Sequence, residues 1–375
     1  MDEKLQKCFF ELVKTGLWEG VNDNLDHNLY EDVDWNEVQR LAEEQSVVGL
    51  VAAGIDVFKT HVPGFKVAKA DAMQFIGQTL QLEQRNQAMN CFIGMLVEKL
   101  RKASINTVLV KGQGVAQCYE KPLWRSCGDV DLFLDAENYR KAKVFLAPLA
   151  AHVEEEDATR LHLGMTIDPW VVELHGTMRG GLSGRINSCL DDVQRDVFIN
   201  GGVRTWDNDG VDVFLPNPDN DVIIIFTHFI GHFYVGGIGL RQICDWCRLL
   251  WMFRSDIDSA LLERRLQWMG LMAEWKAFAA FAVEYLGMPE EAMPFYAPSA
   301  SFQNKARWIC RLILRSGNFG HNQDQSYRSR YPRLLEKSIT FFRRFGEFVR
   351  LSTIFPGNAP RFFVTYVCGR TKAVL

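Results

Sequence analysis

Residues 128–134 read GDVDLFL, and residues 108–114, a short distance upstream, read VLVKGQG. Each stretch is a short apolar, β-branched run, which predicts two strands with a glycine turn and a helix over Val115–Glu120 between them. Successive side chains of a strand point to opposite faces, so Asp129 and Asp131 share one face while the apolar residues beside them share the other. The pattern therefore predicts two carboxylates in a cleft above a buried apolar face.

The two aspartates also predict a metal site. Cα atoms two positions apart in a strand are separated by roughly 7 Å, and carboxylates on that frame can converge on metal ions about 3.5–4 Å apart. Their mutual repulsion is costly without a cation, and hard oxygen ligands favour Mg²⁺ or Mn²⁺ over zinc. We therefore expect Asp129 and Asp131 to bind magnesium or manganese.

The turn before the helix predicts a cradle for phosphate. Gly112 and Gly114 let backbone amides approach an anion, and the N-terminus of the following helix adds the positive end of its dipole. Lys111 is expected to neutralise further phosphate charge, with capping of the strand as its alternative role.

The remaining periodicity predicts an α+β fold with a small mixed sheet flanked by helical regions. Residues 1–104 and 217–375 follow a helical pattern, whereas residues 105–216 form the α/β core. In the third region the helical periodicity runs through Leu240–Phe253, Leu261–Leu286, Phe302–Arg315 and Leu334–Arg350. The further strands expected in the core are Thr159–Ile167, Trp170–His175 and Val211–Leu215. The active cleft should lie between the sheet and the C-terminal helices.

Charge is concentrated at one end of the chain. The whole sequence has a net charge of −4, yet residues 301–375 hold 14 lysines and arginines against three acidic residues. Such a segment predicts an anionic partner, whether nucleic acid, a phosphorylated acceptor or acidic lipid. A solvated helical face is the alternative. The run FFRRFGEFVR (341–350) fits an amphipathic membrane-surface helix or a core helix whose arginines reach solvent.

The sequence predicts a cytoplasmic protein without a membrane span. Nine scattered cysteines do not form a paired framework, and the N-terminus is charged from its second residue, unlike a secretory signal. Residues 222–240 lack Asp, Glu, Lys and Arg, but the glycine cluster at 236–239 predicts a buried helix that ends in a turn.

Two other motifs are discounted. His228 and His232 lie at i and i+4 and would suit zinc, but only two ligands are visible, so a packed, hydrogen-bonded pair is preferred. Cys244 and Cys247 have a redox or zinc spacing, yet they sit in an apolar helical pattern without a second cysteine pair.

The segment around the aspartates resembles the nucleotidyltransferases of the polymerase-beta superfamily, whose pattern is a Gly-Ser or Gly-Gly turn, a helix, and Asp-x-Asp or Asp-x-Glu on a strand. It is most similar to a branch of uncharacterised bacterial members, over roughly residues 67–250. The motifs that match this branch are Lys111-Gly112, Arg125, Gly128-Asp129-Val130-Asp131, Glu173-Leu174-His175 and the helical pair Arg241 and Asp245.

The resemblance implies a metal-dependent transfer of a nucleoside monophosphate from an NTP such as ATP to an unknown hydroxyl acceptor, with release of pyrophosphate. Glu173 is implied as a third carboxylate, which would bind the metal with Asp129 and Asp131 or accept the proton of the attacking hydroxyl. The residues implied in binding the nucleotide are Lys111, Gly112, Gln113, Gly114, Arg125 and His175.

Gln113 departs from the family pattern, because the branch usually has Ser or Gly at this turn position. Its bulk predicts less room for a triphosphate, which favours a non-catalytic nucleotide- or partner-binding protein with the same fold. Retention of all three carboxylates argues against that alternative. A second alternative is a nucleic-acid-binding module built on residues 301–375, whose binding would be salt-sensitive and lost on truncation.

Overall fold

The computed structural model describes residues 2–19, 27–235, 237–318 and 333–372. Within these ranges the fold is α+β, as the sequence predicts. The helices before the sheet are α1 (Glu3–Trp18), α2 (Trp35–Glu44), α3 (Val48–His61) and α4 (Lys69–Lys102). The middle region contains β1 (Val108–Val110), α5 (Gly112–Ala116), β2 (Asp129–Phe133), α6 (Ala136–Leu146), β3 (His152–Val153), β4 (His162–Ile167), β5 (Trp170–His175), α7 (Gly184–Ile199), β6 (Val203–Asn208) and β7 (Val211–Pro216). The later helices are α8 (Pro218–Val235), α9 (Leu240–Met252), α10 (Ser259–Met269), α11 (Met272–Leu286), α12 (Ala300–Ser316), α13 (Arg333–Ile354) and α14 (Ala359–Lys372).

The first five strands form one mixed sheet in the order β1-β2-β5-β4-β3, in which β2 and β5 are parallel and the other neighbours are antiparallel. In the ladder between β2 and β5, Asp131 lies opposite Glu173, and Phe133 lies opposite His175. Directly opposed residues point to the same side of a sheet, as do residues two apart in one strand. Asp129, Asp131, Glu173 and His175 therefore share one face.

The opposite face of this sheet is apolar and packs on α4. Leu132, Val172 and Leu174 are fully buried on that face, in one cluster with Phe92 and Leu96 of α4. Burial of each such side chain contributes about 1.5–3 kcal/mol. The sheet is thus supported from behind, and the carboxylate-bearing face is directed toward α8 and α9.

A second core holds α8 and α9 in place through aromatic contacts. Phe226 of α8 and Trp246 of α9 both pack on Trp275 of α11, with ring centroids 4.8 and 4.7 Å apart. All three rings are fully buried. In the described parts of the chain, no helix has both the length and the apolar character needed to cross a membrane.

Three local expectations need correction. Val211–Leu215 does not join the mixed sheet: β7 pairs only with β6 in a separate hairpin. The turn between β6 and β7, at Asp209 and Gly210, has two positive φ angles, as expected for a tight hairpin. The alternation of side chains predicted the strand but could not tell which sheet the strand joins.

The helix expected over Leu261–Leu286 is divided into α10 and α11, because Gly270 ends α10 in the left-handed conformation. The helix after the glycine turn begins at Gly112 and ends at Ala116, earlier than Val115–Glu120.

Polar side chains from the N-terminal helices reach the later parts of the fold. Asn86 of α4 donates to the carbonyl oxygens of Leu123 and Arg125 at 2.7 and 2.8 Å. Gln45, after α2, accepts from the backbone N–H of Leu240 at 3.0 Å and donates to the carbonyl of Ile313 at 3.0 Å. These bonds fix the segment before β2 and the start of α9.

The basic segment 301–375 is described only in part. Residues 319–332 and 373–375 lie outside the described residues, and so do several side chains of the run 341–350 and Gly236 in the glycine cluster. The anionic partner expected at this segment therefore stays a prediction.

Candidate functional site

A cavity of ≈ 230 Å³ lies between the carboxylate-bearing face of the mixed sheet and helices α8 and α9. The sheet side contributes both acidic and basic groups, and the helices contribute imidazole, guanidinium and apolar groups. The lining residues are Lys111, Gly112, Arg125, Asp129, Asp131, Glu173, Ile225, His228, Phe229, His232, Arg241, Gln242 and Asp245.

Three carboxylates converge at the floor of the cavity. One oxygen each of Asp129, Asp131 and Glu173 lies within 4.8 Å of the others. The pKa of Asp129 is raised, mainly because the negative charge of Asp131 is close and also because the side chain is partly buried. Such a cluster favours a bound cation, so these residues could hold a metal ion.

Two basic side chains contact this acidic cluster. Lys111 Nζ lies 2.6 Å from Asp131 Oδ1, and His175 Nε2 lies 2.8 Å from the same oxygen and 3.4 Å from Glu173 Oε2. Burial alone would raise the pKa of Asp131, but Lys111 and His175 outweigh it and lower that pKa. Burial would lower the pKa of His175, yet its carboxylate partners raise it. The floor thus brings an ammonium group and an imidazole into contact with the carboxylates.

The turn that carries Lys111 is strained. Lys111 has φ +57° and ψ −145°, and Gly112 follows with φ +39°. A side chain at positive φ costs of order 1–3 kcal/mol and persists where surrounding contacts hold it. The bond to Asp131 is such a contact, so the strained turn places an ammonium group directly over the carboxylates.

Glu173 is held on its outer side by His162. His162 Nε2 lies 3.3 Å from Glu173 Oε2, and this bond, followed by that of His175, lowers the pKa of Glu173. His162, Glu173 and His175 form a second group that could hold a metal. It shares Glu173 with the first group, and His175 already contacts Asp131, so the two groups overlap.

Guanidinium groups line the side of the cavity near α9. Arg125 makes a two-fold bond to Asp245, with Nε to Oδ1 at 3.0 Å and Nη2 to Oδ2 at 2.6 Å. The Tyr119 hydroxyl also donates to Asp245 Oδ1, at 2.7 Å. Arg241 Nη1 donates to the carbonyl oxygen of Ser126 at 2.7 Å. Burial would raise the pKa of Asp245, but Arg125 outweighs it and lowers that pKa.

One face of α8 forms the opposite wall. Ile225, His228, Phe229 and His232 line the cavity at i, i+3, i+4 and i+7, the spacing of a single helix face. Burial lowers the pKa of His228 well below its ordinary value and that of His232 to about 4. Among the described residues no third ligand joins the two histidines in a metal-binding group. This wall is therefore uncharged at neutral pH.

Acidification is expected to destabilise the wild type more than a His232→Gln variant. An unfolded histidine titrates near 6.5, whereas burial holds His232 at about 4, so between these values only the unfolded state takes up the proton. The free energy of unfolding then falls as pH decreases, by up to about 1.4 kcal/mol per pH unit from this residue. Urea unfolding at pH 7 and pH 5 measures the loss, with exposed His61→Gln as the control. An equal loss in wild type and His232→Gln would contradict the buried, neutral state.

The structure brings most of the sequence-predicted site residues together. Asp129, Asp131, Glu173, Lys111, Gly112 and Arg125 line the cavity, and His175 contacts two of them.

Two members of the glycine turn lie behind the cavity. The Gln113 side chain is buried and donates to Asn86 Oδ1 at 2.8 Å, and a Cβ on Gly114 would meet Leu215 at 2.8 Å. Neither residue lines the cavity, so the Gln113 side chain does not occupy it.

Sequence reasoning missed the α8 wall and Gln242. The pattern of Ile225, His228, Phe229 and His232 was visible in the sequence, but a mixed apolar and histidine face is also typical of a helix packed in a core. Cys244 and Cys247 are free and buried in α9, and burial raises the pKa of both thiols, which fits a packing role.

The comparisons with known proteins support a family assignment. A family model described as an uncharacterised nucleotidyltransferase matches residues 31–287, more than half of the chain. No curated protein and no solved structure matches. The matched range includes the mixed sheet, α8 and α9, and thus every residue that lines the cavity.

Proposed function

Because the chain belongs to this family of uncharacterised nucleotidyltransferases, we propose that it transfers a nucleoside monophosphate from an NTP to a hydroxyl acceptor with the help of Mg²⁺ or Mn²⁺. We place it in the polymerase-beta superfamily, on the basis of the strand, glycine turn and Asp-x-Asp motif. The observation that carries the proposal is the convergence of three carboxylate oxygens within 4.8 Å on two adjacent parallel strands.

The carboxylates fit a hard divalent cation. Their donor set is all oxygen, and the raised pKa of Asp129 shows that like charges are crowded there. Asp129, Asp131 and Glu173 would hold the ion, which when bound supplies charge neutralisation at the phosphates and lowers the pKa of the acceptor hydroxyl.

Of the two roles open to Glu173, metal binding is the better fit. Hydrogen bonds from His162 and His175 lower the pKa of this carboxylate, and a group with a low pKa is a weak proton acceptor. His162 and His175 would therefore orient Glu173 and keep it ionised.

Lys111 is well placed to change partners during binding. Burial would lower its pKa, but Asp131 raises it, so the side chain stays charged inside the cavity. A cation that binds Asp131 would compete with the ammonium group, which could then bond a phosphate oxygen of the incoming nucleotide. In the transfer itself, the acceptor oxygen bonds to the α-phosphorus, the proton of the acceptor hydroxyl passes to water, and the bond from that phosphorus to pyrophosphate breaks.

The size of the cavity bears on what enters it. Pockets for drug-sized ligands span about 300–1,000 Å³, so a cavity of ≈ 230 Å³ fits the phosphates and the reacting hydroxyl, with the nucleoside toward the mouth. The neutral wall of His228 and His232 would hydrogen-bond an uncharged part of the donor or acceptor.

The non-catalytic alternative loses its main argument. It was favoured by the bulk of Gln113, whose side chain is turned toward Asn86 and away from the cavity. For the nucleic-acid-binding alternative at residues 301–375, binding that is indifferent to salt and to truncation would count against it.

The test is thermal denaturation with each of the four ribonucleotides, with and without magnesium. A ligand that binds only the folded state stabilises it by about 2.7 kcal/mol at 100 times its Kd. We expect a magnesium-dependent rise in Tm with at least one NTP in the wild type and none in Asp129→Asn. No rise with any nucleotide, or an equal rise in the variant, would remove the proposed donor site.

A further inference from the structure

Three buried nitrogen donors at the cavity have no hydrogen-bond acceptor within the described part of the chain. They are Nη1 of Arg125, Nε of Arg241 and Nε2 of Gln242, and all three residues line the cavity. Arg125 is 6% exposed and Gln242 is 5% exposed. Buried donors are almost always paired in folded proteins, so three in one cavity indicate a place where a ligand supplies acceptors.

Each of these side chains is held by other contacts that leave the unpaired donor in place. Arg125 uses Nε and Nη2 to bind Asp245, which leaves Nη1 over. Gln242 accepts from the backbone N–H of Gly239 at 2.9 Å through Oε1, so its amide group is fixed with Nε2 free. Arg241 is anchored by Nη1 to the carbonyl of Ser126. The donors are thus pre-oriented.

The charge of this group is also unbalanced. Arg125 and Arg241 are neighbours, and of these two guanidinium groups Arg125 is the one that is hydrogen-bonded to Asp245. Burial, and then the charge of Arg125, lowers the pKa of Arg241, as expected for a cation that lacks a counter-ion of its own. Planar guanidinium groups match the oxygens of phosphate in geometry as well as charge. The backbone N–H of Leu240 at the start of α9 is already bonded to Gln45, so the side chains are the available donors.

We infer that Arg125, Arg241 and Gln242 form a phosphate subsite that binds the β- and γ-phosphates of the donor and holds pyrophosphate as it leaves. The inference rests on the proposed function and assigns one end of the donor to one side of the cavity. When the α-phosphorus gains its bond to the acceptor oxygen, the bridging oxygen takes the electron pair of the broken bond. The guanidinium groups meet that added negative charge. Asp245 and Tyr119 act as positioning residues for Arg125.

The experiment uses inorganic pyrophosphate as the probe, on the full chain, in EDTA and at low salt. Isothermal titration should show binding to the wild type that weakens as salt is added. Arg241→Gln should weaken it about tenfold or more, because a charge-assisted bond is lost. Arg241→Lys keeps the charge without the planar fork and should fall between the two, and Gln242→Met removes a neutral donor at similar size. The control is Arg195→Gln, because the Arg195 side chain on α7 is exposed and lies outside the cavity.

The outcomes separate this inference from the proposed function. No pyrophosphate binding by the wild type, or equal binding by folded Arg241→Gln, overturns the subsite. In a second titration with magnesium in place of EDTA, competition between pyrophosphate and magnesium-NTP supports its assignment to the donor, whereas simultaneous binding would assign it to a phosphorylated acceptor and overturn the inference. Pyrophosphate binding without any NTP binding would remove the proposed function and leave an anion site of these three residues.

Discussion

An Asp129→Asn variant is expected to lose more than about 100-fold of its magnesium-dependent release of pyrophosphate from NTP, while its metal-free form remains at least as stable as the wild type. Loss of a residue that only supports a metal ligand lowers metal affinity or activity about 10–100-fold. Asp129 is itself one of the three carboxylates that could hold the metal, so we expect a larger loss. Its pKa is raised by the charge of Asp131 and by burial, so the neutral amide relieves a repulsion in the folded state.

The matched variant is Asp131→Asn, which should lose turnover equally but also lose stability. Asp131 is 2% exposed and is the partner of Lys111 and His175 at 2.6 and 2.8 Å. Breaking a buried pair leaves an uncompensated charge, at a cost of about 3–5 kcal/mol; the amide retains some hydrogen bonding, so the lower end is expected.

Urea unfolding in EDTA and a pyrophosphate-release assay measure both effects for the two aspartate variants. Substantial turnover by Asp129→Asn would remove the proposed metal site. An equal loss of stability in both variants would show that Asp129 is a structural residue like its neighbour.

Asp245→Ala is expected to lower the free energy of unfolding by about 3–5 kcal/mol. Asp245 holds Arg125 through two bonds and accepts a third from Tyr119. All three side chains are buried, so removal of the carboxylate leaves a guanidinium charge without a partner. The matched control is Asp192→Ala, which breaks the exposed pair with Arg195 and should cost less than about 1 kcal/mol.

A triple variant separates a lost pair from a lost fold. Tyr119→Phe, Arg125→Met and Asp245→Leu together remove every member of the network, and well-packed apolar replacements of buried ion pairs are often neutral or stabilising. We therefore expect the triple variant to recover most of the stability lost in Asp245→Ala, as measured by urea unfolding. If the triple variant is as unstable as the single one, the carboxylate stabilises the fold through contacts other than these.

Much of the carboxylate-bearing face could be predicted from local sequence. Alternation in residues 129–134 places Asp129 and Asp131 on one face, and the structure confirms the strand and the burial of its other side. The role of Glu173 was predicted only from the family resemblance, because the sequence around β5 does not indicate that β5 pairs with β2. The parallel ladder that sets Asp131 opposite Glu173 is a tertiary contact over about forty positions.

The side of the cavity formed by α8 and α9 could not be predicted from local sequence either, because it too depends on contacts between distant parts of the chain. His228, Arg241 and Gln242 meet the sheet across about a hundred residues of chain, and only the packing of α8 and α9 on α11 brings them there. Lys111 was expected to meet phosphate or to cap a strand. Its contact with Asp131 depends on the positive φ angles of residues 111 and 112. The Lys-Gly dipeptide allows this conformation but does not predict it.

The bonds made by Asn86 and Gln45 bear on how this chain could be shortened or recombined. A fragment of residues 105–216 would keep the three carboxylates, but it would lack the amide that fixes the carbonyls of Leu123 and Arg125 and the whole of α8 and α9. An Asp-x-Asp segment moved into another scaffold would lack the same supporting contacts. The candidate site depends on contacts among the N-terminal helices, the sheet and the later helices, so we expect exchange of segments between relatives to preserve the site only when all three parts are exchanged together.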